Sequence, residues 1–162
     1  MSSVALREGV IQVDLSPTEL GLLRTVLEQF ATVARDDADP AAGRLYPDGY
    51  RDDPDAAAQF RRLTRSDLRD RKLDAAGALL AALAEGSPIV LGPEDAGRWL
   101  PVLTDVRIVL AQRLGVLTDD DRPEGLMADV YHWAGELQAL LVEALDALDD
   151  GDPRDGDRGG TR

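Results

Sequence analysis

Apolar residues recur at helical spacing over most of the chain and alternate only briefly near its start. From Val4 to Asp14 the alternation is roughly every second residue. Val10, Ile11 and Val13 therefore fit a short strand, and Arg7-Glu8-Gly9 fits a hairpin turn. Ser16-Pro17-Thr18-Glu19 is a helix start, with Ser as cap, Pro at the first helical position and Glu19 closing a capping box. Leu20, Leu23, Val26, Leu27, Phe30 and Val33 follow at helical spacing, which predicts a helix to about Arg35. Asp36 to Asp53 holds Pro40, Gly43, Pro47 and Gly49 and reads as a polar loop. Asp53-Pro54 predicts the start of a short second helix through Phe60 and Leu63. Thr64 predicts the cap of a third, with Leu68, Leu73, Ala76, Leu79, Leu80 and Leu83 inside and Gly86 as its stop.

Pro88 to Leu91 is a short apolar run, and Gly92-Pro93-Glu94-Asp95 opens the next helix. This segment echoes Val13 to Glu19: a strand, a cap, a proline, then acids. Two such strands are expected to pair into a small sheet beside the helices. The fourth helix spans Glu94 to Leu114, with Trp99, Leu103, Val106, Leu110 and Leu114 in a core-facing stripe, and Gly115 stops it. After an acidic loop from Thr118 to Pro123, the last helix runs from about Glu124 to Leu148. It carries Leu126, Val130, Trp133, Leu137, Leu140, Leu141, Ala144 and Leu148. No apolar period survives beyond Asp149. The expected fold is mainly α, with about five helices in a compact bundle. A small β element lies near the N-terminus and a short strand precedes the fourth helix. Residues 1–148 form the domain, and residues 149–162 are expected to be a disordered acidic tail.

Composition narrows the function more than the fold. The 162 residues suit one domain. Aromatics are only 4%, so the core is built from Leu, Val and Ala. Acidic residues number 31 against 18 basic ones, a net charge of -13 that repels phosphates and disfavours direct nucleic-acid binding. There is no cysteine, which removes disulfides, thiolate metal sites and cysteine nucleophiles. With no apolar leader and no apolar run of about 20 residues, the expected location is the cytoplasm. Lys72 is the one lysine among many arginines.

Three constellations are candidates for chemistry. His132 lies between Tyr131 and Trp133, but a general base needs an oriented partner and none is evident, so an exposed histidine in an aromatic patch is the expectation. Asp48, Asp52, Asp53 and Asp55 crowd the loop before the second helix. Their spacing is not that of a calcium loop, and Asp53 has a sufficient role as a helix cap. Arg61, Arg65, Arg69 and Lys72 fall at i, i+4, i+8 and i+11, one helical face, flanked by Arg62 and Arg71. That stripe is either a docking face for an acidic protein or a solvated face neutralised by Asp67, Asp70 and Asp74. Leu15 to Leu23 is similar to the opening of winged-helix response-regulator domains. No basic recognition helix or wing follows, and capping alone accounts for the stretch. Phosphate-cradling loops and the hydrolase motifs H-E-x-x-H and G-x-S-x-G are missing from the sequence.

Three stretches together resemble an uncharacterised actinobacterial family, domain of unknown function two-thousand-and-seventeen. They are Arg44-Leu45-Tyr46-Pro47-Asp48-Gly49-Tyr50-Arg51-Asp52-Asp53, Phe60-Arg61-Arg62-Leu63-Thr64 through Asp67-Leu68, and Trp99-Leu100 through Leu103-Thr104-Asp105-Val106-Arg107 to Arg113-Leu114-Gly115. The resemblance spans about residues 4–145. It implies genes for a Clp protease adaptor and a sulfur-carrier route nearby, and members labelled as transcriptional or oxidative-stress regulators. Two departures are plain: this chain has no cysteine for a redox switch, and Thr104 stands where the pattern has Asn.

The resulting expectation is a non-enzymatic regulatory protein, without cofactor or metal, that acts through protein contacts. Its partner is expected to be a sigma factor, another polymerase component or a Clp-system component. The expected contact residues are Tyr46, Asp48, Tyr50, Asp52, Asp53, Arg61, Arg62, Arg65 and Arg69, because aromatics and arginines anchor interfaces and loops carry function. The alternative is a metal- or small-ligand-binding protein, or an enzyme, using Asp48, Asp52 and Asp53 with Arg107 or His132.

Overall fold

Local sequence signals account for most of the elements. The computed structural model describes residues 2–46, 53–115, 120 and 124–151. β1 (Ser3–Arg7) and β2 (Val10–Asp14) form an antiparallel hairpin with Arg7 opposite Val10. Its loop, Glu8-Gly9, has φ of 51° and 81°, the paired positive values of a turn whose twist matches the flanking strands. β3 (Ile89–Leu91) adds antiparallel to β2, Ile11 facing Leu91 and Val13 facing Ile89. The two echoing segments thus do pair. Those four side chains are buried on one face while Val90 points outward, as a two-residue period requires. The Leu15 N–H donates to the Ser87 hydroxyl at 3.0 Å, joining the exit of β2 to the entrance of β3.

α1 (Pro17–Arg35) starts with the expected capping box. The Ser16 hydroxyl accepts from the Glu19 N–H at 3.2 Å, and the Glu19 carboxylate accepts from the Ser16 N–H at 2.8 Å. Its buried stripe is Leu23, Val26, Leu27, Phe30, Val33 and Ala34. Each such large apolar side chain contributes about 2 kcal/mol by leaving water. The stretch expected to be a polar loop contains a four-residue helix, α2 (Ala42–Leu45), whose Ala42 and Leu45 are buried.

One expectation is corrected in the middle of the chain. The second and third helices are a single helix, α3 (Pro54–Ala84). Thr64 is not a cap: its hydroxyl donates to the Phe60 carbonyl at 2.8 Å, four residues back. A mid-helix threonine satisfies itself in this way, and no Gly or Pro between 55 and 76 stops the helix. Asp53 does cap it, accepting from the Asp55 and Ala56 N–H groups. Gly86, at φ 88°, follows the end of the helix.

α4 (Pro93–Leu114) buries Trp99, Val102, Leu103, Val106, Val109 and Leu110, and Gly115 closes it at φ 71°. Pro101, which cannot donate to the helix ladder, sits on its exposed side. α5 (Leu126–Asp150) runs two residues past the expected end, so Asp149 and Asp150 are helical rather than part of a tail. Residues 152–162 lie outside the described residues. Leu126, at the first turn of α5, is 78% exposed. α3 packs on α1 and α4, and α5 packs on α4 and across the β1–β2 hairpin. No helix among the described residues is long and apolar enough to cross a membrane.

Candidate functional site

Arg65, Arg69 and Lys72 of the α3 stripe turn toward the protein. Arg65 and Arg69, one turn apart, both reach the carboxylate of Asp37 on the segment that leaves α1, Arg65 at 3.2 Å. The same two guanidiniums lie over the ring of Tyr46, at 4.8 and 6.0 Å from its centre. An aromatic face attracts such cations, by about 1 kcal/mol at partly exposed sites. Tyr46 is buried just after α2, and its hydroxyl donates to the Ala34 carbonyl at 3.0 Å, in the last turn of α1. Burial raises the Tyr46 phenol above its ordinary pKa, against the opposing pull of Arg69 and Arg65. The Nε atoms of Arg65 and Arg69 are enclosed and have no partner among the described residues.

One turn further along α3, Lys72 meets Asp105 of α4. Its ammonium donates to both carboxylate oxygens, at 3.0 and 2.8 Å. Asp105 is the one buried charged residue of the described core. Burial raises its pKa above the usual value even though Lys72 draws it down. The loop between α1 and α2 is fastened a third time by Asp39, which accepts from Arg113 at the end of α4 and from the Ala41 N–H. The Arg113 hydrogen bond holds the Asp39 carboxyl below its ordinary range.

The fold brings Tyr46, Arg65 and Arg69 together. The carboxylate that pairs with Arg65 and Arg69 is Asp37, and the one that pairs with Lys72 is Asp105, both from other elements and not Asp67, Asp70 and Asp74 of the same helix. Asp53 stands apart as a cap. Asp48, Tyr50 and Asp52 lie outside the described residues, as do the side chains of Arg61 and Arg62. Among the described residues no three acidic or histidine side chains converge as a metal site would require. His132 is exposed, with its ring edge on Tyr131.

Arg107, named above only with the alternative Asp48, Asp52 and Asp53 site, joins two helices instead. Arg107 of α4 stacks on Tyr131 at 4.7 Å and donates to Gln138 at 3.3 Å. It crosses α5 over Gly135, where a Cβ would meet the guanidinium at 3.2 Å. The signal available in the sequence was a glycine inside a long apolar helix, which often marks a close approach.

These contacts define a helical domain with a small antiparallel sheet, whose conspicuous feature is a seam of clasped charges joining α1, α2, α3 and α4. Residues 1–145 match the family described as Domain of unknown function (DUF2017), and the chain belongs to that family. No curated protein and no solved structure matches it.

Proposed function

We propose that this chain is a non-enzymatic regulatory protein of the cytoplasm that docks an acidic segment of a protein partner on the Tyr46–Arg65–Arg69 cluster. The observation that carries the reading is the state of Asp37. Its side chain is 62% exposed, yet it is held by two guanidiniums that are themselves only about a quarter exposed. A partner carboxylate arriving from solvent meets a preformed pair of arginines on an aromatic platform and has only one exposed internal carboxylate to displace. Arginine and tyrosine in partly enclosed settings are the usual anchors of interfaces. The resemblance points to a sigma factor, another transcription component or a Clp-system component as the partner.

Affinity capture with three forms of the full chain tests this: wild type, Asp37→Asn and Arg65→Gln/Arg69→Gln. A partner held by the wild type, held more strongly by Asp37→Asn and lost by the arginine variant supports the reading. Identical capture by all three forms, each with a native circular-dichroism spectrum, defeats it. The alternative built on Asp48, Asp52 and Asp53 is favoured instead if divalent cations raise the melting temperature of the wild type.

A further inference from the structure

α5 carries charge of the opposite sign, and two of its acids make no ion pair among the described residues. From Leu126 to Asp150, α5 contains Asp129, Glu136, Glu143, Asp146, Asp149 and Asp150, with no Lys or Arg. Between α5 and the start of β1 and α1 runs an open groove of about 440 Å³. Trp133, Ala139 and Leu140 give it an apolar floor over the buried Leu137, and Glu19, Glu136 and Glu143 stand along its rim. Glu136 and Glu143 make no ion pair among the described residues. The wall is preformed: the Trp133 indole N–H donates to the Ser2 hydroxyl at 2.7 Å, and that hydroxyl donates to Glu19 at 3.0 Å.

We infer that this groove is a docking site for a basic amphipathic helix of a partner protein. Charge complementarity selects that occupant. An apolar floor alone would accept many segments, but two unpaired carboxylates on one wall penalise an acidic one and reward lysine or arginine. Spacing sharpens the choice. Glu136 and Glu143 are seven residues apart, about 10 Å along the helix axis. A helix laid alongside α5 meets both when its basic residues are also seven apart, with leucine-sized side chains between them for the floor. A comparable groove beside β3 lacks this pair of carboxylates: it carries Arg98, which pairs with Asp95 at 3.7 Å and leaves Glu85 as its one acid without an ion pair among the described residues. The α5 groove is independent of the arginine cluster, so the two faces could bridge an acidic and a basic partner.

Fluorescence anisotropy with a labelled helical peptide of Lys, Leu and Ala, its lysines seven apart, tests the site on the full chain. The expected result is saturable binding that weakens as salt rises. Replacing the peptide's lysines with glutamates abolishes it, and Glu136→Lys/Glu143→Lys weakens it at least about tenfold. Arg65→Gln/Arg69→Gln leaves the affinity unchanged, which separates this site from the proposed acidic-segment site. Melting curves of each variant verify the fold. The inference is overturned by an absence of saturable binding, by equal binding of the acidic peptide, or by full affinity in the charge-reversed variant. It is also overturned if sedimentation shows a dimer that Glu136→Lys/Glu143→Lys dissociates, since a second copy then covers the groove.

Discussion

α3 and α5 are the longest helices of the domain, at 31 and 25 residues, and they use their charge in opposite ways. α3 carries Arg61, Arg62, Arg65, Arg69, Arg71 and Lys72, and carboxylates from other elements engage Arg65, Arg69 and Lys72. α5 carries only acids beyond His132, and Glu136 and Glu143 on its groove find no counter-charge among the described residues. The difference teaches that a helix's charge pattern does not say whether the charge serves the fold or a partner. What decides is the neighbouring element. α3 faces an acidic loop and α4, whereas the groove face of α5 looks onto the N-terminal strand and solvent.

Breaking the inward pairing should have the largest effect on stability. Lys72→Met leaves Asp105 buried and unpaired and should cost about 3 kcal/mol in urea unfolding. Lys72→Met/Asp105→Leu should recover to within about 1 kcal/mol of wild type, because two apolar residues need no pairing. If the double variant is as unstable as the single one, the seam is held by packing and not by the pair. Next in size, Tyr46→Phe should lose about 1 kcal/mol, the net value of its hydrogen bond to the Ala34 carbonyl. A midpoint equal to wild type would show that this bond adds nothing.

The pH dependence separates two carboxylates of the same seam. Asp39 has a lowered pKa in the folded state, so its contribution is present above the ordinary carboxylate range and lost as pH falls through the folded value. Asp105 has a raised pKa, so its contribution is fully present below the ordinary value and lost as pH rises through the folded value. Asp39→Asn should therefore flatten the loss of stability between about pH 5 and 3. Asp105→Asn should steepen it. The same slope in both variants would contradict the opposed shifts.

Smaller effects sharpen the α5 side. Gly135→Ala should displace the Arg107 guanidinium from Tyr131 and cost less than about 1 kcal/mol, read as a modest fall in melting temperature. Glu136→Gln/Glu143→Gln should change stability by no more than about 0.5 kcal/mol, since neither carboxylate is paired among the described residues. A larger loss would move those acids from a binding role to a structural one.

Much of this architecture was legible before the structure, and the misses have specific causes. The capping box at Ser16, the Glu8-Gly9 turn and the stops at Gly86 and Gly115 all rest on interactions within a few residues, so they could be read directly. Thr64 misled because a threonine hydroxyl can cap a helix or bond back within one, and the sequence is the same in both cases. The buried pair left a fainter trace. Lys72 is spaced with Ala76 and Leu79, and Asp105 with Val102, Val106 and Val109, so each charge sits on an apolar stripe. A charge there needs a partner. Nothing local says which one.

The chain by itself determined most helix and strand positions, though not the continuity of α3 or the presence of α2, together with its net charge and the exclusion of cysteine chemistry, because those depend on near neighbours or on composition alone. Tertiary structure decided that Asp37 clasps Arg65 and Arg69, that Lys72 meets Asp105 and that Glu136 and Glu143 are left facing solvent. Those outcomes depend on which elements pack together. A charge's partner is set by distances of a few ångströms between residues tens of positions apart in the chain.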